Sequence, residues 1–122
     1  MFDQLKTLGA VAALLKDKDR LKEAGERIQR KLELMSITGA AGGGAVRVTI
    51  DGKLRVKSVH LDPAFASGLA AGDQSRVMGE ALIAEAISDA LGRAQEMIRA
   101  EAEREARELG LPAMPGLDKF LS

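Results

Sequence analysis

Met35-Ser36-Ile37-Thr38-Gly39-Ala40-Ala41-Gly42-Gly43-Gly44, running on into Ala45-Val46-Arg47-Val48-Thr49-Ile50-Asp51-Gly52, decides how this chain folds. Val46, Val48 and Ile50 alternate with Arg47, Thr49 and Asp51, the period of two that gives a strand one apolar face. Asp51-Gly52 is a hairpin signal, because Gly, Asn and Asp take the positive φ of a tight turn at little cost. With Lys53 the turn has three residues. On the return, Leu54 and Val56 alternate with Arg55 and Lys57, and then the phase slips, with Val59 and Leu61 apolar and Ser58 and His60 polar. A slip of one residue predicts a β-bulge near Lys57–Ser58 that keeps both apolar sets facing the core. Ser36 to Ala40 reads as a first short strand and the glycines 42–44 as its loop. Three antiparallel strands therefore fall within about 35–61, with Arg47, Thr49, Arg55 and Lys57 on the face away from the core.

Helical patterns flank this sheet on both sides. The first covers about 2–34, and its Leu14, Leu21, Ile28 and Met35 recur every seven residues. That is a narrow seam, closer to a coiled-coil stripe than to a broad globular face. Gly25 lowers helix propensity by about 1 kcal/mol relative to Ala and allows a bend. Asp62-Pro63 opens a short helix over about 63–68, Asp62 expected as the side-chain cap and Pro63 at the first helical position. Asp73 is the expected N-cap of a second long helix over about 74–109, whose stripe is Ile83, Ile87, Ala90, Leu91, Ala94, Met97 and Ile98. Gly110 and Pro112 end it, and 111–122 is expected to be a loosely ordered tail.

The whole is thus an α+β fold in one domain, 1–110, with element order long helix, three-stranded antiparallel sheet, short helix, long helix. Helices of ~50 Å, at 1.5 Å per residue, overhang so small a sheet. Their narrow apolar stripes need a partner surface, and a second copy of the chain is the simplest source, so a homodimer is expected. Val46, Val48, Ile50, Val59, Leu61, Ile83, Ile87 and Leu91 are the candidate core and dimer-building residues.

Composition narrows the function. Only 2% of the 122 residues are aromatic and none is cysteine. Aromatic-lined pockets, disulfides, thiolate metal sites and cysteine catalysis are therefore not expected. One histidine, His60, cannot build a zinc site, and no nucleophile–base–orienter set can be assembled, so neither enzyme activity nor a cofactor is expected. No apolar stretch approaches the ~18 residues of a membrane span, and the N-terminus lacks a signal-peptide pattern, which suits a cytoplasmic protein.

Net charge is zero but unevenly spread: +2 over residues 1–35, +3 over 36–61 and −5 over 62–122. Arg47, Lys53, Arg55 and Lys57 make one basic set on the hairpin. Lys16, Lys18, Arg20, Lys22, Arg27, Arg30 and Lys31 make a second along the first helix, interleaved with Asp17, Asp19, Glu23 and Glu26. A polyanion would meet local basic patches, bind modestly and respond to salt. The glycine run ends in a strand rather than a helix and lacks Gly-Lys-Ser/Thr, so it is a strand connection, not a phosphate loop. Scarce aromatics argue against base stacking on single strands and leave phosphate contact with a duplex.

The succession Ile37-Thr38-Gly39, glycine-rich loop, Val46-x-Val48, Asp51-Gly52, Val59-x-Leu61-Asp62-Pro63, set between two long helices, resembles the YbaB/EbfC family of bacterial nucleoid-associated proteins. The resemblance implies a tweezer-like homodimer with protruding helices, located with the nucleoid, that binds double-stranded DNA without enzymatic activity or cofactor. This chain differs in a first helix dense with paired charges and an acidic second one. The competing expectation, prompted by zero net charge, is an adaptor whose helical arms clasp a protein partner.

Overall fold

The computed structural model describes residues 9, 12 and 18–110. Helix α1 covers Lys18–Leu34, and Gly9 and Ala12 are helical as well. Strands β1 (Ile37–Ala41), β2 (Val46–Ile50) and β3 (Val56–Leu61) follow, then helices α2 (Pro63–Gly68) and α3 (Asp73–Glu108). This is the expected α+β order. The rest of the 2–34 helix, including Lys16 and Leu14, and the expected tail at 111–122 lie outside the described residues.

The strands form one antiparallel sheet in the order β1-β2-β3. Ile37 pairs with Ile50 and Ala41 with Val46, while Val46 pairs with Leu61 and Val48 with Val59. Between Thr49–Ser58 and Ile50–Val56 the register shifts, leaving Lys57 as the extra residue of the expected bulge. Val46, Val48 and Ile50 on the central strand are fully buried, joined by Ile37 and Ala41 of β1. Against them lies α3, through Ala86, Ala90 and Ala94, all fully buried.

Alanines on the helix and a glycine on the strand permit that approach. A Cβ on Gly39 would sit 2.5 Å from the Ala86 carbonyl oxygen and 2.6 Å from Ala90 Cα, so α3 rests directly on the β1 backbone. Asp89 completes the seam. Its Oδ2 accepts the Ala40 backbone N–H at 3.0 Å, which satisfies a donor on the outer edge of β1 and sets a carboxylate there, which opposes pairing with another chain.

Several local expectations are corrected. The positive φ of the hairpin falls on Leu54 (64°), not on Gly52. Leu54 N–H bonds Asp51 O, and Asp51 N–H bonds Arg55 O, so the left-handed position is the third loop residue, as in a three-residue hairpin loop. Gly52 serves close packing instead. Its N–H reaches Leu32 O at 2.8 Å, and a Cβ there would lie 2.9 Å from Leu32 Cα and O. Asp62 stands at the N-cap of α2, with Pro63 next as expected, but its side chain makes no capping bond; Oδ1 faces His60 Nε2 at 3.2 Å. Gly72, not Asp73, is the N-cap of α3, because its φ of 149° lets the chain turn into the helix. The first strand starts and ends one residue later than expected, and α1 runs through Gly25 without interruption.

Candidate nucleic-acid interface

The sheet leaves two surfaces of opposite character. On its outer face the register places Thr38 and Ala40 of β1, Arg47 and Thr49 of β2, and Ser58 and His60 of β3. Thr49 is half-buried and the other five are exposed. Thr38 and Thr49 share a hydroxyl–hydroxyl hydrogen bond of 3.0 Å, and Arg47 stands opposite His60. Beside this row Lys57, freed by the bulge, bonds Ser36 Oγ at 2.8 Å and Met35 O at 3.4 Å. Neutral oxygens hold its ammonium without cancelling the charge.

The turn beneath is built around one carboxylate. Asp51 is buried, and its Oδ1 accepts the backbone N–H groups of Lys53 (2.8 Å) and Arg55 (3.0 Å). The Arg55 N–H does most to hold its carboxyl below the ordinary value, against the opposing effect of burial; the Lys53 N–H and the Arg55 and Lys57 charges add to it. Lys53 pairs with Glu33 at 2.6 Å, which lowers the Glu33 carboxyl. Among the described residues, neither Arg47 nor the Arg55 guanidinium makes an ion pair. Of the four hairpin cations, then, Lys53 is neutralised by a partner and the others remain available.

The α1 set divides in the same way. Lys18, Lys22 and Arg30 are exposed and make no ion pair among the described residues; Arg20 is engaged, and Lys16 lies outside them. Arg27 and Lys31 turn toward α3. Arg27 Nη2 meets Glu105 Oε2 at 3.1 Å, and Lys31 Nζ lies 2.6 Å from Glu105 Oε1 and 3.1 Å from Glu101 Oε1. Arg104 reaches Glu101 Oε2 at 3.3 Å. The side chains of Glu105 and Glu101 are 1% and 6% exposed, those of Arg27 and Lys31 42% and 36%. The hydrogen bonds from Arg27 and then Lys31 hold the Glu105 carboxyl below its usual value despite burial, and the same contacts raise both cations. The alternation of charge along α1 does not reveal this cluster. The spacing of Glu101 and Glu105, one helical turn apart like Arg27 and Lys31, is the only signal of it in the sequence.

The second surface is apolar. Val56, Val59 and Leu61 continue the inner row of Ile50, Val48 and Val46, but α3 crosses β1 and β2 rather than β3. Val56 is 59% and Val59 53% exposed, with Leu61 half-buried. Ile87 and Leu91 of α3 are also exposed, and Ile83 is packed against the core. Of the eight candidate core and dimer residues, three are fully buried within one chain, two partly, and Val59, Ile87 and Leu91 face solvent. Among the described residues no three metal-ligating side chains come together, and no helix is long and apolar enough to cross a membrane.

The profile of the YbaB/EbfC DNA-binding family matches residues 8–109. Nucleoid-associated proteins of Xanthomonas campestris and Xanthomonas oryzae are 38% identical to this chain over 82 residues, 67% of this chain and 71% of theirs. In fold, the chain is similar to the crystal structure of an uncharacterised protein from Helicobacter pylori. That likeness has a TM-score of 0.52 at 19% identity, covering 70% of this chain and 93% of the other.

Proposed function

Because the chain belongs to the YbaB/EbfC DNA-binding family, we propose that it is a nucleoid-associated protein that binds double-stranded DNA as a homodimer, chiefly through phosphate contacts. The observation that carries this reading is the family match, which spans all three helices and the whole sheet. The geometry supports a location for the contacts. Arg47 stands among exposed hydroxyls on the outer face and Lys57 bonds Ser36 beside it, while Arg55 of the hairpin and Lys18, Lys22 and Arg30 of α1 are exposed cations. Hydroxyls and cations on a flat face suit phosphate oxygens, which position a duplex without reading its sequence.

The dimer is supported by the uncovered inner row. Val56 and Val59 on the edge strand β3, with Ile87 and Leu91 on α3, are large apolar side chains at least 37% exposed. Surfaces of that kind on a small soluble domain mark an interface. A second copy would cover the row and set two basic sheet faces and two α1 helices in one particle.

The test is an anisotropy titration of a labelled duplex with the wild type and with Arg47→Glu/Arg55→Glu/Lys57→Glu at two salt concentrations. The wild type should bind with an affinity that falls steeply with salt, and the variant should bind weakly with a shallower dependence. Salt-independent binding, or equal affinity of the folded variant, would refute the placement. Pull-down from nuclease-treated lysate separates the adaptor reading, since a protein that binds only DNA loses its partners there.

A further inference from the structure

Arg27 and Lys31 belong to the basic set of α1, yet both are held by carboxylates of α3. Three features of the cluster bear on what it does. The cations stand outside the carboxylates: Glu105 and Glu101 are buried beneath them, while Arg27 and Lys31 keep over a third of their side chains exposed. The contacts are uneven. Lys31 is close to Glu105, but Arg27 reaches it at 3.1 to 3.5 Å, long for a charge-assisted bond. Glu101 Oε1, buried and 3.1 Å from Lys31 Nζ, makes no hydrogen bond, so one carboxylate oxygen is held by charge alone. Finally, besides this cluster α1 is tied at its C-terminal end, where Leu32 O accepts the Gly52 N–H and Glu33 pairs with Lys53, and its apolar burial is slight. Ala24 is its single fully buried residue, and Leu21 is exposed.

From this arrangement we infer that Glu101 and Glu105 act as an internal counter-anion, occupying Arg27 and Lys31 in the free protein and competing with DNA phosphate for them. The inference rests on the DNA-binding reading above. The two carboxylates take the place of two phosphates at adjacent cations, so a duplex reaching α1 must exchange one anion for another. Affinity is thereby held below what the cations of α1 would give alone. Glu101 and Glu105 are thus affinity-setting residues that touch no DNA. Other acidic residues of α3, such as Glu96 and Glu103, are exposed and make no ion pair with α1 among the described residues; they contribute only to the general field.

The experiment is an anisotropy titration of a labelled duplex by the full chain across a series of KCl concentrations, with circular dichroism of every variant. Glu101→Gln/Glu105→Gln should bind roughly tenfold tighter than wild type, with the slope of log K against log [KCl] steeper by about one to two. Glu96→Gln/Glu103→Gln removes the same formal charge and should give a much smaller gain at unchanged slope. Equal gains from the two pairs would reduce the effect to net charge and overturn the inference. So would a folded Glu101→Gln/Glu105→Gln protein with unchanged or weaker affinity, which would leave the cluster a structural tie. If the double variant loses helicity, Glu101→Gln alone decides, because among the described residues Glu101 meets α1 only at Lys31 and leaves Glu105 to hold both cations; it should still bind tighter than wild type. A wild type that binds no duplex at any salt removes the functional reading and this inference together, an outcome distinct from the others.

Discussion

Gly39 and Glu105 carry consequences out of proportion to their size. A methyl group on Gly39 would meet the backbone of α3 at Ala86 and Ala90, and backbone cannot turn aside as a side-chain end can. Gly39→Ala should therefore destabilise the fold by about 2–3 kcal/mol, the scale of overpacking in a tight core, read as a lowered midpoint in urea. Gly25→Ala, where an added Cβ meets nothing within 4 Å, should instead raise stability by some tenths of a kcal/mol, up to about 1 kcal/mol. Glu105→Gln should cost about 1 kcal/mol, below the usual range for hydrogen bonds to charged groups, because its cationic partners are partly hydrated. The sign of the pH dependence follows from the same contacts. Glu105, Asp51, Asp89 and Glu33 all have carboxyls held below their ordinary values in the folded chain. Each adds stability that is complete above the unfolded carboxylate range and is lost as pH falls through the depressed folded value. The melting temperature should accordingly be flat between neutral pH and about pH 5 and fall below about pH 4. The fall should be shallower in Glu105→Gln.

At the scale of elements, the two edges of the sheet are treated differently. Asp89 covers the edge of β1 through the Ala40 N–H and is itself held by Arg93 at 3.2 Å. Among the described residues no side chain guards the edge of β3 in this way, and β3 carries Val56 and Val59 instead. A charge on β3 should therefore separate subunits without unfolding them. Val59→Lys is expected to keep the wild-type circular dichroism and to shift sedimentation toward the monomer at micromolar concentration. Asp89→Ala should do the reverse, leaving the oligomer intact while exposing the β1 edge, and aggregation on heating should begin earlier than in wild type. The bulge at Lys57 belongs to this scale as well. It was legible because a one-residue slip in a period-two pattern has only one structural remedy. The location of the left-handed residue was not, since Asp51-Gly52 fits a two-residue turn and a longer one equally, and only the contact of Gly52 with Leu32 explains the glycine.

For the whole molecule, the long helix α3 governs which residues are core and which are surface. It crosses two strands of three, so Val48 is fully buried while its register partner Val59 is half in solvent. Sedimentation of the wild type should report a dimer, and a folded monomer at micromolar concentration would contradict the role given to that open row. The amino-acid sequence by itself determined the strands, the bulge, the proline-led short helix and the order of elements. Each depends on neighbours a few residues apart, through alternation, φ preference and helix periodicity. Gly39 stood in the sequence as an ordinary strand residue, and Arg27 and Lys31 stood among four other α1 cations. Only the tertiary structure decided that the glycine is the seat of α3 and that those two cations are answered by Glu105 and Glu101. The pairings with Glu105 span 74 and 78 residues, and no local pattern encodes a contact set by how two long helices come to lie side by side.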